Sequence, residues 1–266
     1  LAFALSHQQK QSLESLIYQR ILSPLNMEDT HINLPATKAN KLSKGHNFLL
    51  APVPALSADN ALAGAVSYKS NTRDMAKFLR ANMYLNTLTQ TLYLTQIPTI
   101  NYGDKNQIGL GWFITPYQNH TLYSHRGSTG GFRSFIGFIP GLQKGIVILS
   151  NSFYDVSEIG FAFLTNQLES LKTRQITATL SKQQLDNVTG SYVLNSGHQL
   201  TIYYQQNQLI VETNNQPALP FLPITEKQFY NPMLKAKLVF ELTNNSQAKY
   251  LTLYQGKYII TGVKQN

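Results

Sequence analysis

A chain of 266 residues is long enough for a well-buried core and for one large or two smaller domains. Apolar residues make up 42% and charged residues only 13%, so the chain reads as globular, with its polarity carried by Asn, Gln, Ser and Thr. A net charge of +9 is scattered without a long basic run, which argues against a nucleic-acid partner; zero cysteines exclude disulfides and thiolate metal sites, and no apolar stretch approaches the roughly 20 residues of a transmembrane helix.

The chain opens LAFALSHQQKQSLESLIYQRI, which reads as the middle of a helix without a basic leader, so an upstream segment is expected. Leu13, Leu16, Ile17 and Ile21 follow helical spacing and give an apolar stripe that Ser23-Pro24 ends. Residues 31 to 66, with Pro35, Pro52 and Pro54, read as a long irregular connection of the kind found around binding sites. Asn71 followed by Asp74 has the form of an N-cap with an acidic third position, and Met75, Phe78 and Leu79 supply the buried face of the helix that follows.

From Gly109 the runs GLGWFI, TLYSH, FRSFIGFIP and GIVILSN predict antiparallel strands, three on the most economical reading, the last two joined by a hairpin at Gly141 to Lys144. Asp155 and Glu158 predict a capped helix whose stripe is Phe161, Leu164, Leu168 and Leu171. Beyond the polar segment 173–184, read as a linker, residues 185–266 alternate in short strands; Leu238, Phe240 and Leu242 face one side, Val239 and Glu241 the other. The expected architecture is α+β: residues 1–172 an antiparallel sheet with flanking helices, and 185–266 a small antiparallel β-domain, a barrel or a strongly curled sheet.

The stretch YSHRGSTGGF, residues 123 to 132, runs a strand into glycine. Two readings fit: a turn or bulge that needs positive φ, or a strand edge left bare so that a peptide-like substrate can add alongside it. A phosphate loop does not fit, because no G-K-[ST] follows and the glycines precede a strand.

HRGSTGGFRSFIGFIPGLQKGIVILSN resembles the K-T-G strand region of class C β-lactamases and their penicillin-binding relatives. ILSPLNMEDTHINLP, SNTRDMAKFLRANM and IGLGWFI match that family in the same order, so the resemblance covers residues 1 to about 172. The segment from 185 onward is similar to the lipocalin-like extension of some members. The resemblance implies a serine hydrolase that is acylated by a β-lactam or a D-alanyl cell-wall peptide, needs no cofactor or metal, contacts the cell wall, and is periplasmic or secreted. It implies that the main-chain N–H of Ser128, after Gly127, helps hold the oxyanion. His125 stands where the family usually has Lys, and Arg126 where it has Thr. The histidine would hold a proton or orient a hydroxyl. The arginine would pair with a substrate carboxylate, unless it only makes a solvent-facing or interdomain ion pair. Gly127, Thr129 and Gly130 complete the implied substrate wall.

The family's S-x-x-K and Y-x-N motifs, which carry the nucleophile, its lysine and a proton-transferring tyrosine, normally lie upstream of the matched segments. Ser246 to Lys249 reads SQAK but falls in a predicted hairpin, not at a helix start; Tyr84-Leu85-Asn86 and Tyr117-Gln118-Asn119 match Y-x-N by coincidence. No G-x-S-x-G elbow is present, and His7, His31, His46, His120, His125 and His198 lack metal-ligand spacing. Trp112 reads as a core aromatic. The chain by itself is therefore expected to be inactive and weakly stable, with its catalytic Ser, Lys and Tyr elsewhere. Alternatives are a non-catalytic module that binds peptidoglycan or a protein partner, or an esterase or peptidase on the same scaffold.

Overall fold

The computed structural model describes residues 1–47, 50–56, 62–84, 88–103, 105–172, 178–205, 208–213 and 216–265. Two compact units are formed, Leu1–Asn47 with Pro52–Leu171, and Phe48–Ala51 with Lys172–Asn266.

The first unit begins with helix α1 (Ala2–Gln9), followed by α2 (Leu13–Ile17), where Ser12 accepts the backbone N–H of Ser15 at 3.1 Å as an N-cap. A single π-turn, Tyr18–Leu22, continues α2 up to Ser23-Pro24. The predicted stripe is only half-buried; the buried residue of this segment is Leu22, which lies outside the stripe. Glu14 on α2 accepts the N–H groups of Ile32 and Asn33 at 2.8 and 3.0 Å, fixing the chain that follows. The long connection carries a 3-10 turn at Ala36–Lys41, two short strands, β1 (Gly45–His46) and β2 (Pro52–Val53), and a one-turn helix α3 (Ala63–Val66).

Helix α4 (Thr72–Met83) starts as predicted: Asn71 accepts the N–H of Asp74 at 2.9 Å. Asp74, 2% exposed, in turn accepts from the Asp29 N–H at 2.8 Å and the Thr30 hydroxyl at 3.0 Å, so the cap also ties residues 29–30 to the helix. Helix α5 (Thr89–Thr95) leads into a six-stranded antiparallel sheet in chain order: β3 (Ile100–Tyr102), β4 (Asn106–Ile108), β5 (Phe113–Tyr117), β6 (His120–Thr129), β7 (Phe132–Ile139) and β8 (Lys144–Ser150).

Three strands were too few. β3 and β4 are three residues each and exposed or half-buried, so they carry no apolar alternation to find. GLGWFI becomes strand only from Phe113; Gly111 has φ 97°, and Gly109 lies so close to the Thr95 carbonyl that a Cβ would sit 2.4 Å from it. Trp112 is core, 5% exposed, edge-on to Phe138 at 5.0 Å. The single helix predicted after Asp155 is two, α6 (Ser157–Leu164) and α7 (Glu169–Lys172), because Asn166 turns left-handed at φ 58° and ends the first.

Helices cover both faces of the sheet. Leu79 of α4 packs with Trp112, Ile114, Ile136 and Phe138, while Val156 and Leu164 at α6 pack with Leu122, Phe135 and Ile139 on the opposite face.

In the second unit, α8 (Lys182–Asp186) carries a full capping box between Ser181 and Gln184. Residues 173–177 of the expected linker lie outside the described residues. Eight strands follow: β9 (Gly190–Leu194), β10 (Gln199–Gln205), β11 (Gln208–Thr213), β12 (Gln216–Pro223), β13 (Gln228–Asn231), β14 (Ala236–Leu242), β15 (Ala248–Gln255) and β16 (Tyr258–Lys264). They pair in sequence, and β16 pairs β9 to close an up-and-down barrel. Side chains fill it. Tyr192, Phe229, Phe240, Leu238 and Leu251 are at most 1% exposed, and Leu185 and Val188 join the same cluster. The Tyr192 hydroxyl donates to the Val188 carbonyl at 2.8 Å, and burial raises its pKa.

Candidate active site

Strand β6 is bracketed by two tight hairpins, with Tyr117 opposite His120 at one end and Thr129 opposite Phe132 at the other. In a two-residue hairpin the closing pair exchanges backbone hydrogen bonds, and orientation then alternates along the strand. Counting from either end gives one answer. Tyr123, His125, Gly127 and Thr129 turn their backbone groups toward β7, whereas Leu122, Ser124, Arg126 and Ser128 turn theirs toward β5. Pairing with β5 ends at Phe113 opposite Ser124. The N–H and C=O groups of Arg126 and Ser128 therefore point past the end of β5, onto an edge that no strand occupies among the described residues.

Side chains alternate as well. Arg126 and Ser128 share the α6 face with Leu122, and His125 and Thr129 share the α4 face with Tyr123. The two unusual residues thus lie on opposite faces of the strand. Both reach around Phe113 at the start of β5: the His125 ring is 6.2 Å from the Phe113 ring, and the Arg126 guanidinium carbon is 6.0 Å from its centroid. His125 is exposed as a residue, yet its ring is sheltered enough that burial, and then the Arg126 charge, lower its pKa. At pH 7 the imidazole is neutral and can both donate and accept. Beside Arg126 a shallow recess of about 160 Å³ is lined by Tyr102, Asn106, Phe113, Thr115, Ser124 and Phe161.

Across the hairpin, Arg133 lies opposite Ser128, with its guanidinium carbon 4.2 Å from the Phe153 ring centroid and its Nη1 donating to the Phe132 carbonyl at 2.9 Å. Asp155 stands nearby at the head of α6. Burial pushes its carboxyl up, but hydrogen bonds from the Ser157 N–H and hydroxyl, at 2.9 and 2.7 Å, outweigh that. The charges of Arg126 and Arg133 add to them, and the net shift is downward. The open end of β6 is thus flanked by two guanidiniums and one carboxylate.

The turn reading holds for two of the glycines. Gly130 and Gly131 form the turn, at φ 35° and 81°. The turn is also clasped. The His46 N–H donates to the carbonyls of Gly131 and Asn151, at 3.1 and 3.0 Å, and a Cβ on Gly131 would sit 2.6 Å from that same nitrogen. Gly130 is backed by the main chain of Leu56, whose nitrogen a Cβ would meet at 3.0 Å. Gly127 faces Ser134, whose hydroxyl a Cβ would meet at 2.3 Å. The bare edge belongs to Arg126 and Ser128.

The stand-ins for the missing motifs sit in other elements. Ser246 occupies a turn at φ 61°, with its N–H donating to the Thr243 carbonyl. Tyr84 ends α4, and Asn86 lies outside the described residues. The Tyr117 hydroxyl donates to the Thr165 carbonyl at 3.1 Å. Among the described residues no group of His, Cys, Asp and Glu could hold a metal, and no helix is long and apolar enough to cross a membrane. Sequence reasoning passed over Phe113, Arg133 and Asp155. A signal for Arg133 was present, since a two-residue Gly-Gly turn after Thr129 sets residue 133 opposite residue 128.

The family model for beta-lactamase matches residues 1–185. A β-lactamase of Pseudomonas fluorescens is 26% identical over 183 residues, 56% of this chain and 51% of that protein. A β-lactamase of Escherichia coli strain K12 is 28% identical over 179 residues, 54% of this chain and 47% of that protein. The chain thus spans about half the length of these curated relatives. Among solved structures, a D-alanine carboxypeptidase from Burkholderia cenocepacia matches 64% of this chain and 58% of its own, with TM-score 0.57 and 22% identity. A class C β-lactamase matches 64% and 54%, at TM-score 0.55 and 22% identity. The octameric penicillin-binding protein homologue from Pyrococcus abyssi matches 95% of this chain and 60% of its own, at TM-score 0.52 and 20% identity, so its likeness extends into the barrel. These three likenesses are likenesses of fold.

Proposed function

Because this chain belongs to the beta-lactamase family, we propose that the full-length protein is a serine hydrolase that transfers an acyl group from a β-lactam or a D-alanyl cell-wall peptide. The observation that carries this reading is the unpaired edge of β6 at Arg126 and Ser128. A peptide-like substrate adds alongside that edge, pairing with its backbone groups as an extra strand. Once a serine attacks the carbonyl, negative charge develops on its oxygen. The Ser128 N–H, aimed outward and rigid because β7 holds the other side of the strand, donates to that oxygen. Rigidity matters because the donor then needs no reorganisation as charge appears.

His125, neutral at pH 7, accepts or relays a proton where the family usually has a lysine. Arg126 pairs with a substrate carboxylate, and Gly127, Thr129 and Gly130 form the remaining wall. The serine, its lysine and the tyrosine belong, on this reading, to the portion of the family fold that this chain does not span. A periplasmic or secreted location and contact with the cell wall follow from the same family reading.

The test is incubation of the full-length protein with a reporter β-lactam, read by intact-mass spectrometry and by turnover. A long-lived serine adduct marks a penicillin-binding type, and fast turnover marks a lactamase. Neither adduct nor turnover, with D-alanyl peptides also untouched, would falsify the acyl-transfer reading. One observation favours a second reading, binding of peptidoglycan or a protein partner without chemistry: His125 and Arg126 stand where the family usually has Lys and Thr. Binding of a D-alanyl peptide without any hydrolysis would select it, whereas cleavage of simple esters or peptides alone would select an esterase or peptidase.

A further inference from the structure

The wall of the barrel formed by β9, β15 and β16 carries apolar and aromatic side chains on its outside as well as its inside. Inward residues are sealed, with Leu251 0% exposed, but the outward series Val193, Tyr250, Tyr254, Ile259 and Val263 is open, Ile259 at 64%, and Tyr258 at the turn end of β16 is 62% exposed. These residues adjoin one another. Tyr254 is paired with Ile259, Thr252 with Thr261, Tyr250 with Val263, and Val263 with Val193, so their side chains form one surface across three strands, with the threonine pair between the apolar ones. A contiguous patch of this kind marks an interaction surface, in contrast to single exposed apolar residues, which are ordinary.

Its charge says what it meets. Lys237, Lys249 and Lys257 have their ammonium groups 5.0, 5.2 and 5.6 Å from the ring centroids of Tyr254, Tyr250 and Tyr258. Across β9, β14, β15, β16 and the turn between the last two, Glu241 is the acidic residue, set against these three and Lys264. A second copy of this chain would bring lysines against lysines. A surface of tyrosines and branched aliphatics rimmed by lysines matches instead an anionic lipid interface, where tyrosine rings settle at the headgroup level and lysine stems extend over apolar surface toward phosphates.

We propose that this outer wall docks the protein onto an anionic phospholipid surface. The apolar side chains enter the headgroup layer and the three lysines meet its phosphates. Docking is independent of whether the sheet unit performs acyl transfer.

The experiment is co-sedimentation of the full-length protein with phosphatidylcholine vesicles, with and without phosphatidylglycerol, across a salt series. Binding should require phosphatidylglycerol and weaken with salt. Replacing Lys237, Lys249 and Lys257 together by Gln should lower affinity on the order of 100-fold. The double substitution Tyr254→Ser with Ile259→Ser should lower it about tenfold or more. Ile259→Trp should tighten binding and shift the emission of the added indole to shorter wavelength on the vesicles, since Trp112 is already buried. Failure to bind phosphatidylglycerol vesicles would overturn the proposal. So would binding that none of these variants changes, or a concentration-dependent dimer that the serine substitutions dissolve.

Discussion

In the barrel each strand from β9 to β16 has a hydrogen-bonded neighbour on both sides, whereas in the six-stranded sheet β6 runs on past the end of β5 from His125 to Thr129. Closure removes the edges that would otherwise recruit foreign strands, and the barrel fills its interior with side chains to match. The sheet unit is open, and along β6 it leaves backbone donors and acceptors bare among the described residues, flanked by Arg126, Arg133 and Asp155. The contrast separates two uses of β-structure in one chain: one unit is stabilised by pairing everything, and the other keeps a gap that a substrate strand can complete.

The largest effect should come from opening what is closed. Phe240 is 1% exposed, with its ring 5.8 Å from Tyr192 and 5.6 Å from Phe229. Phe240→Ala should cost roughly 3–5 kcal/mol in the barrel transition of a denaturant melt. A transition for the sheet unit that stays in place would confirm that the two units hold themselves together separately. Next comes the edge itself. Ser128→Pro removes one N–H, which on the β5 side has no ladder partner, so the melting temperature should change little. In the full-length protein the acylation rate should nevertheless fall about 10²- to 10³-fold. Gly127→Pro, one residue earlier, deletes a bond to β7 and should destabilise the sheet. If both prolines unfold the protein equally, the edge assignment is wrong.

A smaller loss tests the clasp on the hairpin. Gly131→Ala forces a side chain into φ 81° and against the His46 nitrogen, and should cost about 1–3 kcal/mol. An unchanged melt would mean that the clasp is loose.

The alternation of Leu238, Phe240 and Leu242 was enough to predict a curled antiparallel sheet, because a barrel writes its inside and outside at period two along every strand. The Asn71 cap was legible for a similar reason: it is local chemistry. What escaped was set by distant partners. Nothing in INY or NQI marks β3 and β4 as strands, since they gain their order by pairing with each other and, through β4, with β5. The bare edge could not be read from YSHRGSTGGF alone, because it depends on where β5 stops, and ahead of β5 the chain is held at Thr95, whose carbonyl accepts the Leu110 N–H at 3.0 Å and lies against Gly109. Asp155 was read as a helix cap only. Its second partners, Arg126 and Arg133, come from two other strands.

That carboxylate gives the smallest effect, and a pH-dependent one. Asp155 has its folded-state pKa below the ordinary carboxylate value of 3.8, so its contribution is present above that value and is lost as pH falls through the lowered one. Asp155→Ala should therefore lower stability at pH 7 by about 1 kcal/mol or less, mostly through the lost Ser157 bonds, because the arginines act across solvent-exposed space. The difference between variant and parent should close below pH 3.8. His125 gives a second window. Its lowered pKa means that, as pH drops through the ordinary imidazole value of 6.5, the unfolded chain takes up a proton before the folded chain does, so stability drops as pH drops there and His125→Gln removes that slope. Thermal melts across both windows separate the two faces of β6: a slope in the upper window that survives His125→Gln would show that the α4 face of the bare edge does not shelter its imidazole.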